Sequence, residues 1–225
     1  MANKKAQAVE VDKTSPQRKS VVREYAEAIF IAFLLAIFIR TFIIQAFKIP
    51  SGSMEKTLLI GDHLLVSKFS YGVHVPNEIP FVNIQLFKDI IFFLSIPERY
   101  DIIVFKFPRD ESTDFIKRVI GLPGEILELK AQKVYINDKL IDDPYARHTA
   151  LSGSGVFVKR DNFGPMVIPD GHVFVMGDNR ENSKDSRYWG FLDITKIRGK
   201  AQMIYWSWDS QASWVRFGRM GKILE

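Results

Sequence analysis

The chain has 225 residues, a formal net charge of +5 and an apolar share of 47%. This length accommodates one sizeable domain with an attached segment, but hardly two large domains. Because the chain has no cysteine, disulfide bonds, a catalytic thiolate and cysteine-based zinc sites are excluded. The basic excess does not favour nucleic-acid binding, since much of it lies in the first 24 residues, which hold six Lys/Arg and three Asp/Glu.

The N-terminal part predicts a polar tail followed by a membrane anchor. An unbroken apolar run covers 28–39, and beyond Arg40 and one further polar residue the apolar character continues to Phe47. A helix over 28–47 is about 30 Å long, which matches the hydrocarbon core of a bilayer. The predicted domains are a cytoplasmic tail over 1–22, a transmembrane anchor over 23–46 and an extracytoplasmic β-rich domain over 47–225.

A cleaved secretory signal is the alternative interpretation, because the apolar region of such signals is typically about 7–15 residues long. A retained anchor is favoured, since the bulky and charged residues after Ile39 offer no small-x-small cleavage pattern. More cations precede the span than follow it, which predicts a cytoplasmic N-terminus and an exported domain. Those before it are Lys13, Arg18, Lys19 and Arg23, and those soon after it are Lys48 and Lys56.

Beyond the anchor, short apolar runs rich in β-branched residues alternate with turn signals. The Pro-Gly centre of 122–125 suits a type II turn, and Asn137-Asp138 suits a tight hairpin. The pattern predicts a mainly β fold, an antiparallel sheet or barrel-like domain behind a single N-terminal transmembrane helix. The predicted strands are 63–69, 102–107, 115–122, 133–136, 155–159, 172–176 and 201–206.

The segment 79–97 is strongly apolar but is interrupted by Lys88 and Asp89. Two interpretations stay open. It is either a packed flap or short buried helix, or an apolar surface that dips into the bilayer interface. The two charges make it too broken for a second membrane span.

Ser53 lies just past the anchor, so its hydroxyl is expected at the bilayer surface. The four histidines are scattered without metal-ligand spacing, and no histidine–acid pair is evident that would activate this serine. We therefore predict neither a metal site nor a cofactor. A lysine kept neutral can replace histidine as the proton acceptor.

Two lysines compete for that role. Lys56 completes a Ser-x-x-Lys pattern typical of penicillin-binding proteins and β-lactamases, but the other elements of that class, Ser-Asp-Asn and Lys-Thr-Gly, do not occur. Lys117 lies on a predicted strand with Phe115 and Val119 on the same face. Burial among such apolar groups lowers the pKa of a lysine and favours the neutral amine. Spacing alone does not decide between the two.

Four segments follow one another behind the anchor: 50–54 (PSGSM), 61–66 (GDHLLV), 117–124 (KRVIGLPG) and 177–187 (GDNRENSKDSR). Together, and in this order, they resemble type I signal peptidase (leader peptidase), a membrane-anchored endopeptidase with a Ser–Lys dyad. The resemblance implies cleavage of N-terminal signal peptides from exported preproteins, after small residues at positions −3 and −1, through an acyl-enzyme. It also implies that no metal or organic cofactor takes part.

The resemblance implies roles for individual residues. Ser53 matches the nucleophile and Lys117 its general base. Ser51 matches the hydroxyl that completes the oxyanion hole with the Ser53 N–H, and Ser183 matches the serine that helps to position the lysine amine. The remaining correspondences are Asp185 and Arg187 as a structural ion pair, Ile49 and Ile116 as walls of shallow substrate pockets, Glu181 where aspartate is common, and Lys184 as an added positive charge.

The expected partners are preprotein signal peptides and membrane lipid, without nucleic acid or metal. The expected location is the bacterial cytoplasmic (inner) membrane, in a single pass, with the catalytic domain on the periplasmic or extracellular side. Two other classes stay open besides the Ser-x-x-Lys acyl enzyme. One is a non-catalytic anchored domain that binds a partner at the membrane. The other is a self-cleaving repressor, which shares Ser–Lys chemistry but has no anchor.

Overall fold

The computed structural model describes residues 21–75, 78–79, 82–85, 90–93, 95–148 and 162–224, with the backbone alone for the described residues between 73 and 94. The chain divides into two units, the first ending at Ile37 and the second beginning at Phe38. Helix α1 (Val21–Phe38) has no buried residue. A short π-helix, Ile39–Ile43, follows it. By length and composition, the 23-residue segment Val21–Ile43 can cross a membrane.

The helical segment ends before the predicted anchor boundary at residue 46. The reason is that Ile44 already pairs with Ser67, so the chain becomes a strand at this point. The strands are β1 (Ile44–Lys48), β2 (Asp62–Ser67), β3 (Gly72–Val75), β4 (Glu78–Ile79), β5 (Val82–Gln85), β6 (Ile90–Phe93), β7 (Ile102–Phe107), β8 (Asp110–Gly121), β9 (Ile126–Lys130), β10 (Lys133–Ile136), β11 (Lys139–Leu140), β12 (Phe163–Val167), β13 (His172–Met176), β14 (Leu192–Asp193), β15 (Ile197–Asp209) and β16 (Trp214–Val215). A single turn of helix, α2 (Ser186–Trp189), precedes β14.

The mainly β, antiparallel prediction is confirmed. Every pairing between these strands in the described residues is antiparallel. The largest sheet has the order β1-β2-β15-β7-β8-β13-β14, with β16 beside β15, and a second sheet has the order β11-β10-β9-β12. Within the described pairings β1 and β14 are the ends of the main sheet, so it is an open sheet.

The two turns predicted from the sequence are present in the structure. Gly124 has a φ of +80°, and the Glu125 N–H donates to the Leu122 carbonyl over 3.2 Å, as in a type II turn. Asn137 and Asp138 have φ of 49° and 63°, which closes the tight hairpin between β10 and β11. Three predicted strands have the observed bounds, namely 102–107, 133–136 and 172–176.

Two other predictions fall wholly or partly outside the described residues. The predicted strand 155–159 lies entirely outside them. Between 79 and 93 the described backbone is strand rather than helix, because β3 pairs with β6 and β4 with β5. The side chains of 79–94 lie outside the described residues, so the choice between a packed flap and a bilayer-facing surface stays open.

The main sheet carries its core on both sides of the β7–β8 pair. One cluster of buried side chains gathers around β2 and the segment after β1, and includes Ile49, Met54 and Leu58. Another includes Phe105, Val119 and Val175, from β7, β8 and β13. The middle of β8 therefore lies between apolar layers, which sets the environment of any polar side chain on it.

Candidate active site

Ser53 lies in a 3₁₀ turn, Gly52–Met54, that follows β1. The next residue, Met54, is fully buried in the core, and its packing there fixes the position of the turn. Asn179 holds it from the other side: its backbone N–H donates to the Ser53 carbonyl and its side-chain amide donates to the Gly52 carbonyl, each over 3.1 Å. Ser53 is only 7% exposed, and these contacts restrict the position of its side chain.

Lys117, in the middle of β8, reaches this serine. Its Nζ lies 2.8 Å from Ser53 Oγ and also donates to the carbonyl of Ile116 over 2.8 Å. The ring of Phe115, with its centroid 5.3 Å from Nζ, packs beside the amine, as strand alternation predicts. Lys117 is 4% exposed.

Burial lowers the pKa of Lys117 from the ordinary 10.5 to about 8, although the carboxylates of Asp185 and Asp178 act in the opposite direction. Desolvation dominates because the apolar layers around β8 cannot solvate an ammonium group. With a pKa of about 8, roughly a tenth of the molecules carry the neutral amine at pH 7. This lysine can therefore accept a proton near neutral pH.

Arg118, next to Lys117 on β8, forms a second buried contact. Its guanidinium binds the carboxylate of Asp178 through two bonds of 2.9 Å, and neither side chain is more than 1% exposed. The same guanidinium lies 3.6 Å from the ring centroid of Tyr145 and donates to the carbonyl of Tyr100. This bidentate pair joins β8 to the segment 177–187. Arg118 has no predicted role; two consecutive cations within an apolar strand are the sequence signal that could have revealed it.

Asp185 and Arg187 form the ion pair that the resemblance implies, with 2.8 Å between Arg187 Nε and Asp185 Oδ1. Asp185 also caps α2, and it accepts from the backbone N–H of Gly177 over 3.1 Å. Arg187 in turn donates to the carbonyl of Arg180 over 2.6 Å. The pair thus shapes the loop that carries Ser183 and does not itself line the cleft around Ser53.

Gly177, in the 177–187 loop, lies close against the turn Gly52–Met54, which we call the serine turn. A Cβ at this position would lie 2.5 Å from the Ser53 carbonyl oxygen and 2.3 Å from Ser183 Oγ. Ser183 is 4% exposed, and its hydroxyl has no hydrogen-bond partner among the described residues. The expected bond between Ser183 and the amine of Lys117 is therefore not formed in this structure, because that amine bonds to Ser53 and to the Ile116 carbonyl instead.

A cleft of about 610 Å³ opens over Ser53. Its lining residues come from the serine turn, from one edge of β8, and from the loop and helix that follow β13. They are Pro50, Ser51, Gly52, Ser53, Thr113, Asp114, Phe115, Ile116, Lys117, Glu181, Asn182, Ser183, Lys184 and Tyr188. Of the predicted site residues, this set contains Ser51, Ser53, Ile116, Lys117 and Ser183.

Ile49 departs from the prediction. It is 2% exposed, belongs to the core with Met54 and Leu58, and does not line the cleft. Backbone bonds to Asp62 and Gly61 hold it in this inward position. Ile116 packs against the same cluster, so Ile49 supports the cleft wall from behind instead of forming its surface.

Lys56 is exposed and does not line the cleft. The Ser-x-x-Lys interpretation required its amine at Ser53 Oγ, and that place is taken by Lys117. Lys184 lines the cleft, but it is not among the groups that shift the pKa of Lys117. In the described part of the chain, no group of three or more His, Cys, Asp or Glu side chains is arranged to hold a metal ion.

Comparison with known proteins identifies the family. The sequence pattern of the family described as "Signal peptidase, peptidase S26" matches residues 22–206. Signal peptidase I of Pseudomonas aeruginosa is 30% identical, with 92% of this chain and 81% of the relative covered. For signal peptidase I of Pseudomonas fluorescens the identity is 32%, with coverages of 96% and 84%. For that of Rickettsia typhi it is 33%, with 92% and 94%.

The family match defines a serine endopeptidase, and its N-terminal helix is long and apolar enough to cross a membrane. The chain belongs to the signal peptidase family, peptidase S26. Its substrates are the signal peptides of preproteins, and its place is in protein secretion.

Proposed function

We propose that Ser53 and Lys117 are the catalytic dyad of this signal peptidase. The observation that carries the proposal is the 2.8 Å contact between Lys117 Nζ and Ser53 Oγ in a cleft open to substrate. One N–H of the neutral amine donates to the Ile116 carbonyl, so its lone pair is free to face the serine hydroxyl. The low pKa of Lys117, about 8, supports this protonation state.

In the proposed reaction, Lys117 takes the Ser53 proton while Oγ attacks the carbonyl of the scissile peptide bond. The tetrahedral intermediate then collapses. Its C–N bond breaks, Lys117 gives the proton to the leaving amine, and the signal peptide stays esterified to Ser53 as an acyl-enzyme. A water molecule next gives a proton to Lys117 and attacks the ester, which releases the signal peptide and restores the Ser53 hydroxyl.

We assign the oxyanion hole to the hydroxyl of Ser51 and the backbone N–H of Ser53. Ser51 is exposed within the cleft, two residues from the nucleophile, so its hydroxyl can reach a substrate oxygen. Each such donor is expected to contribute roughly 10²–10³-fold to the rate. Ser183 supplies a positioning hydroxyl when the Lys117 amine turns away from the Ile116 carbonyl. Its buried, unpartnered Oγ supports that role.

The proposed specificity is for small residues at positions −1 and −3. Support comes from Phe115, Ile116 and Pro50, which are bulky lining residues close to Ser53 and limit the space beside it. Hydrophobic walls accept a methyl group and exclude a large side chain by steric overlap. A peptide with phenylalanine at −1 should therefore be cleaved far more slowly than one with alanine.

We further propose the topology of the chain: a cytoplasmic tail over 1–22, an anchor over 23–46 and a catalytic domain over 47–225 on the outer side of the bacterial cytoplasmic membrane. The excess of cations before the span supports this orientation. Membrane lipid is then a permanent neighbour of the anchor, and preproteins held at the same membrane meet the enzyme there. No nucleic acid or metal is part of the proposed function.

The decisive experiment compares purified, detergent-solubilised wild type with Ser53→Ala and Lys117→Ala on a labelled preprotein. Each variant should lose at least about 10³ in kcat, because the two residues act as one unit. Lys56→Ala is the matched control: it removes a lysine three residues from the nucleophile that does not line the cleft, and it should cleave normally. Thermal unfolding of all four proteins verifies that loss of activity is not loss of fold.

Near-normal cleavage by the folded Lys117→Ala protein would exclude the dyad. Loss of cleavage in Lys56→Ala alone would instead revive the Ser-x-x-Lys acyl enzyme. The acyl-enzyme is tested separately by acid quenching and mass spectrometry, which should find an adduct of the signal peptide on the peptide that contains Ser53.

A further inference from the structure

Lys184 is a cation of the 177–187 loop that lines the cleft and has no role in the proposed mechanism. It is exposed and lines the cleft next to Ser183. Its Nζ lies 5.4 Å from the ring centroid of Phe107. Phe107 is stacked on Phe115 with 4.4 Å between ring centroids, and Phe115 also lines the cleft. The aromatic pair thus holds the ammonium group of Lys184 at the cleft wall through a cation–π contact.

The charged side chains that line the cleft differ in whether a neighbouring polar side chain pairs with them. Asp114 has Arg198 at 3.8 Å, and Glu181 Oε1 lies within hydrogen-bond distance of His148 Nδ1, at 3.0 Å. Lys117 is committed to Ser53. Lys184 forms no ion pair with any residue in the described part of the chain, and it does not shift the pKa of Lys117. An accessible cation that has no anionic partner of its own in a peptide-binding cleft is suited to bind an anionic group of the substrate.

We propose that Lys184 is a specificity-determining residue, which binds the carboxylate of an Asp or Glu side chain at one substrate position along the wall formed by 181–184. The inference rests on the proposed function, since it requires that the substrate lies in the cleft over Ser53. It gives this peptidase a charge preference close to the scissile bond, in addition to the steric selection of small residues. Because the ammonium group is exposed, the preference is modest and is screened by salt.

The test is a scan of one cleavable signal-peptide sequence, in which a single Asp, Asn or Lys is placed in turn at each position around the scissile bond. The quantity compared is the ratio of kcat/KM for the Asp peptide to that for the Asn peptide, in wild type, Lys184→Gln and Lys184→Glu. At one position the wild type should prefer Asp by about two- to fivefold at low salt. The ratio should fall to about one in Lys184→Gln. Lys184→Glu should prefer the Lys peptide at that same position.

Lys56→Gln is the matched control, because it removes the same charge near Ser53 but outside the cleft; it should keep the wild-type ratio. High salt should reduce the wild-type preference and leave the ratio of Lys184→Gln unchanged. Ratios that are equal in wild type, Lys184→Gln and Lys184→Glu at every position would overturn the inference while leaving the proposed function intact. A wild type that cleaves none of the peptides would overturn both.

Discussion

Lys117 shows how the position of one side chain in the fold lowers its pKa. An amine in water keeps its proton up to about pH 10. On β8 it lies against Phe115 and the buried layer around Val119, and it is bonded to neutral oxygens only, those of Ser53 and Ile116. The nearby carboxylates of Asp178 and Asp185 are both bound to arginines, which limits how far they can stabilise the ammonium form. The remaining cost of burial favours the neutral base.

This environment predicts the pH dependence of cleavage. Only the neutral amine can accept the Ser53 proton, so below the pKa of Lys117, about 8, kcat/KM should fall about tenfold per pH unit. Above that pKa the profile should level off, because the amine is already neutral. The measurement is kcat/KM for a soluble peptide that has no titrating group, from pH 6 to 10, in which kcat/KM reports the free enzyme.

The control is a peptide series with uncharged side chains, which removes substrate ionisation as the cause of the profile. An acidic limb centred near pH 10 would mean that the base keeps the ordinary pKa of a lysine. A profile that is flat across this range would mean that no lysine titrates in the rate-limiting step.

Which lysine contacts Ser53 could not be read from the sequence by spacing. Strand alternation correctly put Phe115 beside Lys117, since alternation is a local property of the chain. Whether Lys56 or Lys117 meets Ser53 depends on how β8 lies against a turn 64 residues earlier, and no local pattern encodes that contact. Ile49 was misjudged for the same reason: its inward orientation is fixed by pairing with the chain around Asp62.

At the scale of elements, the site is a junction of three segments that the sequence keeps far apart. The serine turn, β8 and the 177–187 loop meet through Asn179 on one side and through the Arg118–Asp178 pair on the other. Thr57 adds a bond of 2.5 Å from its hydroxyl to the same Asp178 carboxylate. The buried ion pair therefore positions β8 against the loop that holds the turn of Ser53.

Breaking that pair should be costly. Arg118→Met leaves the Asp178 carboxylate buried without its counter-charge and should reduce the free energy of unfolding by about 3–5 kcal/mol. Adding Asp178→Leu removes the stranded charge, so the double variant should lose less than the sum of the single variants, by about 0.5–3 kcal/mol. Urea unfolding of the detergent-solubilised proteins measures these differences.

Lys130→Met is the comparison for an exposed ion pair. Lys130 pairs with Glu128 at 2.6 Å, but its side chain is 57% exposed, so water and salt screen the pair and the loss should be much smaller than that of Arg118→Met. Equal losses for Arg118→Met and Lys130→Met would contradict the positioning role of the buried pair, as would strict additivity in the double variant.

The elements themselves were predictable to different degrees. The turns at 122–125 and 137–138 are encoded by their own residues, because Pro-Gly and Asn-Asp sequences favour the required backbone angles. The strand 133–136 ends at the Asn-Asp turn, and the strand 102–107 is flanked by other turns; both were predicted with the observed limits. By contrast, β15 extends over 13 residues, since it pairs with β2, β7 and β16 in succession, and this depends on partners distant in sequence.

At the scale of the whole molecule, most of the candidate membrane helix lies in the first unit, and the candidate active site lies in the second. Helix α1 has no buried residue, whereas the unit that begins at Phe38 contains all three clusters of buried apolar side chains. Folding of the catalytic unit should therefore not depend on the anchor. In the proposed topology, the anchor confines enzyme and preprotein to the same membrane surface, which raises their effective concentration.

A chain that lacks residues 1–37 tests this separation. It keeps β1 and its pairing with β2, so it should fold and cleave a soluble peptide with a kcat/KM within about threefold of the full chain. On a preprotein inserted in lipid vesicles, the truncated chain should cleave about 10²-fold more slowly than the full chain reconstituted in the same vesicles. The reason is that the truncated enzyme is no longer confined to the membrane surface that holds its substrate.

Replacing residues 1–37 with an unrelated apolar helix is the control. This variant should recover most of the lost cleavage rate, since confinement does not depend on the sequence of the helix. If the truncated chain processed the vesicle-bound preprotein as fast as the full chain, the anchor would have no kinetic role. If it failed on the soluble peptide as well, the two units would not be independent.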